Sequence, residues 1–154
     1  MMKLLAVLMG LLVAGEVSAK RYFTQEEAAK ALFPDGDSWV KKIELLSHKE
    51  RAMIQKACGL PTTLRGHHVW VVRRKKALIG VAIVDFVRGK HENIDYAVGI
   101  TIAGRVKQIE IMEYRESYGF EIRQDRWRGQ FVGKTKMDTL RLNKDIDNIG
   151  GATI

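Results

Sequence analysis

The hydroxyl of Thr153, next to the end of the chain, is the clearest candidate for chemistry in this sequence. The three residues before it are small, and such residues leave the backbone and a hydroxyl group open to close approach by another molecule. Asp147 lies six positions earlier and is a candidate member of the same site. From the residues alone, an ordinary Gly-rich terminal tail explains this run equally well.

Two further polar stretches precede this segment. The run Gly89–Ile94, with the sequence Gly-Lys-His-Glu-Asn-Ile, predicts a charged turn that leads into a strand. The run Tyr114–Glu121, with the sequence Tyr-Arg-Glu-Ser-Tyr-Gly-Phe-Glu, follows the next hairpin. Taken by themselves, these residues also fit a charged turn and a polar strand end without any site.

Other kinds of chemistry find no support in the sequence. Gly133-Lys134-Thr135 is similar to the end of a phosphate-binding loop, but Arg128 stands where that motif needs a glycine. The histidines do not have the spacing of a metal site, since His67 and His68 would point to opposite faces of a strand. We therefore predict no metal site and no catalytic residue.

Composition limits the class of protein. The chain has 154 residues, of which 46% are hydrophobic and 29% charged, which is typical of one folded domain. The single cysteine excludes a disulfide framework and a cysteine metal cluster. The net charge of +8 favours an anionic partner, whether nucleic acid, lipid headgroups, a phosphorylated cofactor or an acidic protein.

The first nineteen residues have the pattern of a removable export signal. Lys3 precedes an apolar run over Leu4–Gly15, and Val17-Ser18-Ala19 has the form of a cleavage site, so we expect the mature domain to span 20–154. A twelve-residue helix spans only about 18 Å, against about 30 Å for the hydrocarbon core of a bilayer, and no permanent membrane span is expected. The prediction is an exported, periplasmic protein, a compartment that argues against nucleic acid as the partner.

The pattern along the chain predicts an α+β domain, with N-terminal helices, then an antiparallel sheet, then a helical or irregular C-terminal segment. Capping boxes at Thr24–Glu27 and Ser47–Glu50 begin two helices, and Gly59 fits the end of the second. The predicted strands are His68–Val72, Ala77–Val87, Tyr96–Ile102 and Val106–Met112. Gly80 indicates a bulge or a close backbone approach.

At these residues the sequence resembles the FMN-binding domain family, which includes exported flavoproteins and the flavin-bearing subunits of sodium-pumping NADH–quinone reductases and related ferredoxin-linked complexes. The resemblance covers about residues 65–154. It depends on the Gly-Lys-His-Glu turn, the Glu-Ser-Tyr-Gly stretch and Gln130-Phe131-x-Gly133-Lys134. It is strongest in the terminal pattern from Asp147 to Thr153, in which Gly150 stands where the family usually has Ser or Thr.

The resemblance implies FMN that a separate flavin transferase attaches covalently, through phosphate, to Thr153. The cofactor-binding residues that it implies are Thr153, Asp147, Gly151, Ala152, His91, Glu116, Tyr118 and Gly119. Lys90, His91 and Arg115 are candidate cations near the ring or the phosphate, with a solvated basic face as the alternative.

The implied function is an electron carrier in a periplasmic or membrane-associated redox chain, with a cytochrome or a membrane oxidoreductase as partner. The alternatives are a flavin-dependent reductase with its own substrate and a basic, non-redox binding module without flavin. The lack of an evident catalytic acid–base set favours a carrier over an enzyme.

Overall fold

Two capped helices lie in the N-terminal half of the computed structural model, which describes residues 19–59 and 65–149. Helix α1 (Gln25–Leu32) begins at Thr24 and helix α2 (His48–Cys58) begins at Ser47, each with the predicted capping box. Helix α2 ends at Gly59, whose φ of +73° is left-handed. No helix within the described ranges is long and apolar enough to cross a membrane.

Six strands form one antiparallel sheet. They are β1 (Lys20–Arg21), β2 (Ser38–Leu45), β3 (Gly66–Arg74), β4 (Ala77–Arg88), β5 (Asn93–Thr101) and β6 (Val106–Tyr114). Their order in the sheet is β1-β6-β5-β4-β3-β2, so consecutive hairpins join β3 through β6, helix α2 lies in the connection from β2 to β3, and β2 forms one edge. The turn at Gly104, where φ is +70°, closes the predicted hairpin between β5 and β6.

The expected fold class is wrong, because the protein is a curled, mostly antiparallel sheet with few and short helices. Strand β1 precedes α1 and strand β2 separates the two helices, so the chain does not place helices first and sheet second. The strands that the sequence analysis does not predict are β1 and β2, and in β2 Lys41-Lys42 interrupts the apolar alternation. An edge strand tolerates such charges, since much of it faces water.

Helix α1 packs against the sheet and supplies three of the nine buried residues of the first core cluster. Leu32 and Phe33 are fully buried there against Trp70 and Val72. Gly80 confirms the predicted close approach, since a Cβ at this position would lie 2.5 Å from a ring carbon of Phe33. Truncating a buried residue such as Leu32 to Ala in a core like this one costs about 2–5 kcal/mol.

A second cluster lies on the other side of β5 and β6, under the C-terminal segment. Its buried members are Ile94, Ile111, Tyr114 and Ile122. Helix α3 (Asp125–Arg128) lies between two 3₁₀ turns, Phe120–Arg123 and Gly129–Phe131. These short elements pack on β6 and so lie near the edge of the sheet opposite β2.

Candidate functional site

One carboxylate holds the turn between β4 and β5. Glu116 Oε1 accepts hydrogen bonds from the backbone N–H groups of His91 (2.6 Å) and Glu92 (2.9 Å). A Cβ on Gly89 would lie 2.5 Å from the same oxygen, which explains the glycine at this position. The N–H groups of Glu92 and His91 lower the pKa of Glu116, so this carboxylate stays ionised at neutral pH. The structure thus joins two predicted site residues, Glu116 and His91, through the backbone of the second.

The stretch after β6 is shaped by a buried tyrosine. The Tyr114 hydroxyl donates a hydrogen bond to the backbone carbonyl oxygen of Tyr118. Gly119 is left-handed, with φ +85°, and begins the first 3₁₀ turn. The Tyr118 side chain is 77% exposed, so it is open to a ligand or partner, whereas Gly119 determines the path of the backbone.

Arg115, a candidate cation for the cofactor, is engaged within the protein. Its guanidinium donates to the carbonyl oxygen of Asn93 (2.9 Å) and pairs with the carboxylates of Asp95 (3.1 Å) and Glu113 (2.9 Å). The hydrogen bond to Asp95 is the main cause of its raised pKa. Lys90, by contrast, is exposed in the adjacent turn and remains a candidate cation.

The segment that leads toward Thr153 is fixed to the domain as far as Ile149. The Asp147 N–H donates to Gln130 Oε1 (2.7 Å), and the indole N–H of Trp127 donates to the Asp147 carbonyl oxygen (2.9 Å). Ile149 packs against the second core cluster. Gly151, Ala152 and Thr153 lie outside the described residues, as do the first eighteen residues of the predicted export signal, which spans 1–19.

A tight turn immediately before this segment is organised by Asp145. Its carboxylate accepts the backbone N–H groups of Leu140 (2.9 Å) and Arg141 (2.7 Å). Partial desolvation opposes ionisation, but the hydrogen bonds from Arg141, Thr139 and Leu140 outweigh it and lower the pKa of Asp145 to about 2. The turn therefore has a permanently charged centre at neutral pH.

A cleft of about 250 Å³ opens beside the anchored segment. One carboxylate oxygen of Glu121, Oε2, is buried there without a hydrogen-bond partner within the described part of the chain. The ring of Trp127 lies edge-on to that of Phe131, with 5.0 Å between their centroids. The cleft is lined by Glu121, Gln124, Arg126, Trp127, Gln130, Asp147, Asn148 and Ile149.

These residues fit part of FMN. A flat, heteroaromatic ring matches the indole face of Trp127, and an N–H donor on such a ring matches the unpartnered oxygen of Glu121. The cleft is smaller than a typical cofactor site of roughly 300–1,000 Å³, so it accommodates one portion of the molecule.

The cofactor-binding residues predicted from the sequence do not include Glu121, Trp127 or Gln130. The spacing of the last two, i and i+3, is a weak signal for two side chains on one helical face. The burial of Glu121 has no sequence signal, because the C-terminal segment that covers it is distant along the chain.

Comparison with known proteins points to the same C-terminal part of the chain as the location of the site. No curated protein matches the chain by sequence. A family model, described as FMN-binding domain, matches residues 89–154. The matched region contains the Gly89 turn, Glu116, the cleft and the terminal pattern. This match confirms the resemblance seen in the sequence over residues 89–154, which are similar to the FMN-binding domain family.

Proposed function

We propose that this protein is an exported flavoprotein that holds FMN covalently through Thr153 and works as an electron carrier. The observation that supports the proposal best is the anchoring of Asp147, through both its N–H and its carbonyl oxygen, beside a cleft with an aromatic wall. The Thr153 hydroxyl is six residues farther along the chain than Asp147, within the span of the family match.

Each residue of the cleft has a role toward the cofactor. Trp127 flanks the ring, Glu121 accepts a hydrogen bond from a ring N–H, and Arg126 supplies positive charge beside an otherwise acidic wall. Bound FMN supplies one- and two-electron redox chemistry, while the protein determines its orientation and its potential.

Attachment requires a second protein, a flavin transferase that uses FAD as donor. The Thr153 oxygen forms a new bond to the phosphorus of the FMN half, the bond between the two phosphates breaks, AMP leaves, and the hydroxyl proton is released. Small residues before Thr153 allow the in-line approach that phosphoryl transfer needs. A covalent link keeps the cofactor on an exported protein from which free FMN would diffuse away.

The proposed place of action is the periplasm, and the proposed partners are proteins that donate or accept electrons, such as a cytochrome or a membrane oxidoreductase. The export-like first nineteen residues support this location. Sequencing the N-terminus of exported protein should give a first residue at or near Lys20, and an intact Met1 would contradict export with cleavage.

Co-expression with an exported flavin transferase tests the attachment. We expect the protein to gain the mass of one FMN less one water, and peptide mapping to locate the gain on Thr153. Thr153→Val keeps the side-chain shape without the hydroxyl and should abolish the adduct. Ser117→Ala, which removes an exposed hydroxyl elsewhere in the domain, is the matched control and should label normally. Flavin on another residue, or no adduct at all, would overturn the proposal.

A further inference from the structure

The positive charge of this protein is concentrated in one part of the chain. Residues 38–80, which comprise β2, α2, β3 and the start of β4, contain ten of the 26 lysines and arginines but only two of the 18 aspartates and glutamates. This segment therefore has a net charge of +8, equal to that of the whole protein. The remaining residues, including the entire FMN-binding match, contain equal numbers of the two signs.

Few of these cations are neutralised by a carboxylate. Within the described ranges, Arg74 is the one basic side chain of this segment that pairs with a carboxylate, that of Asp35 at 3.8 Å. In the C-terminal half, by contrast, Arg115, Arg128 and Lys134 each contact two carboxylates. The segment thus presents a field of positive charge to the exterior.

Helix α2 places apolar side chains within this field. Met53 is 55% exposed and Ile54 is 40% exposed, although both are large enough to be expected in a core. Within the described part of the chain, no side chain of α2 is buried and no other element packs extensively on the helix. Lys49 and Lys56 lie one turn before and one turn after Met53, on the same stripe of the helix.

The end of strand β2 that leads into α2 also exposes apolar side chains. Ile43 (63% exposed) and Leu45 (73% exposed) alternate on one face of this edge strand. Lys41, two residues earlier, lies on that face as well. We call the combined area, β2 and α2, the basic edge.

We propose that the basic edge binds the surface of an anionic lipid bilayer. Cationic side chains next to apolar ones on a helix that stands away from the sheet are the features of an interfacial helix, whose lysine stems reach past the apolar stripe to the headgroups. Each Lys or Arg near an anionic surface adds to the attraction. An acidic protein is the alternative occupant of this surface, and the binding experiment below distinguishes it from a bilayer.

The proposal gives the flavin site an orientation. The basic edge ends at β2, whereas the C-terminal segment packs on β6, four strands away. At about 4.8 Å between neighbouring strands, the two regions lie roughly 19 Å apart along the curled sheet. A domain docked by its basic edge therefore presents Trp127 and Asp147 away from the lipid, toward partner proteins. The lipid proposal does not depend on covalent attachment, so it can hold or fail separately.

Vesicle co-sedimentation tests the proposal. The full chain should sediment with vesicles of phosphatidylglycerol and phosphatidylcholine, remain in solution with pure phosphatidylcholine, and dissociate as salt rises to about 0.5 M. The double variant Lys49→Gln with Lys56→Gln should bind at least about tenfold more weakly. Met53→Ser should weaken binding severalfold.

Matched controls separate the basic edge from a general effect of charge. Lys136→Gln with Lys144→Gln removes the same charge from the C-terminal half, and Met137→Ser alters a side chain that is 84% exposed there. Both controls should bind within about twofold of the unaltered chain. All variants share residues 1–19, so any binding by that segment is common to them, and circular dichroism verifies that α2 stays helical.

Two results would overturn the proposal. Equal loss in the control pair and in the α2 pair would mean that binding follows total charge and not the basic edge. No binding to anionic vesicles, together with α2-dependent binding of an acidic protein, would assign the surface to a protein partner.

Discussion

The indole N–H of Trp127 donates a hydrogen bond to the backbone carbonyl oxygen of Asp147, with 2.9 Å between nitrogen and oxygen. Gln130 reinforces this link, since its amide oxygen accepts from the Asp147 N–H and its amide nitrogen donates to the Trp127 carbonyl oxygen. One helical turn and the chain segment before Thr153 thus form a single hydrogen-bonded unit. The side chain of Asp147 takes no part in it, so anchoring and recognition of this residue are separable.

The Trp127→Phe variant should loosen this unit. It keeps an aromatic wall for the cleft but removes the donor, leaving the Asp147 carbonyl oxygen without that partner, at a cost of about 1 kcal/mol. We expect faster amide hydrogen exchange at residues 147–149 and a lower yield of the FMN adduct. Unchanged exchange at these residues would mean that Gln130 alone holds the segment.

The Gly89→Ala variant should destabilise the turn between β4 and β5. The new Cβ would lie 2.5 Å from Glu116 Oε1 and 3.0 Å from the Glu92 carbonyl oxygen. The Glu116 side chain can move only by giving up its bonds to the turn, so the free energy of unfolding should fall by about 1–3 kcal/mol in urea denaturation. Gly129→Ala is the control, because nothing lies within 4 Å of its added Cβ and its φ is −60°.

A double-mutant cycle shows whether Glu116 is the cause. With Glu116→Ala present, Gly89→Ala should cost clearly less than it does alone. Equal costs in the two backgrounds would attribute the strain to the Glu92 carbonyl instead.

Acid stability should depend on Asp145. Its pKa is lowered from 3.8 to about 2, so the folded state binds this proton less readily than the unfolded chain does. The stabilisation is then complete above about pH 4 and is lost as pH falls toward 2. Asp145→Asn should be less stable at pH 7 and should lose less further stability over this acid range, as measured by urea midpoints. If the urea midpoints of the two proteins fell equally as pH decreases from about 4 to 2, Asp145 would not be the source of the acid dependence.

How far sequence reasoning reaches in this protein depends on the range of the interactions. The capping boxes at Thr24 and Ser47 are local, and the structure confirms both helices at those boundaries. Strand β2 is not predicted because Lys41 and Lys42 interrupt the alternation of apolar and polar residues. Its position at the edge of the sheet tolerates these charges. Because the prediction lacks that strand, the predicted sheet is smaller than the observed one, and the helices make up a larger share of the predicted fold.

The candidate site shows the same limit. His91 and Glu116 were identifiable as polar residues of recognisable stretches, but their contact joins residues 25 positions apart. Arg115 is a basic residue in the sequence and a neutralised one in the fold, because Asp95 and Glu113 converge on it only when β5 pairs with β6. Glu121 becomes notable only through its burial.

The Asp147→Asn variant tests whether the transferase recognises the carboxylate of Asp147 or whether Asp147 contributes only through its backbone. The Asp147 side chain is exposed and makes no hydrogen bond or ion pair within the described part of the chain, whereas its backbone holds the segment. The substitution should therefore leave the unfolding free energy within about 0.5 kcal/mol and leave exchange at residues 147–149 unchanged. If the carboxylate is recognised, the rate of adduct formation should nevertheless fall at least about tenfold, because a charge-assisted hydrogen bond is lost from the encounter with the transferase. Mass spectrometry of a time course measures that rate, with Asn148→Ala as the neighbouring control. Normal labelling of Asp147→Asn would remove the carboxylate from the recognition pattern and leave the anchoring through Trp127 and Gln130 as the contribution of this position.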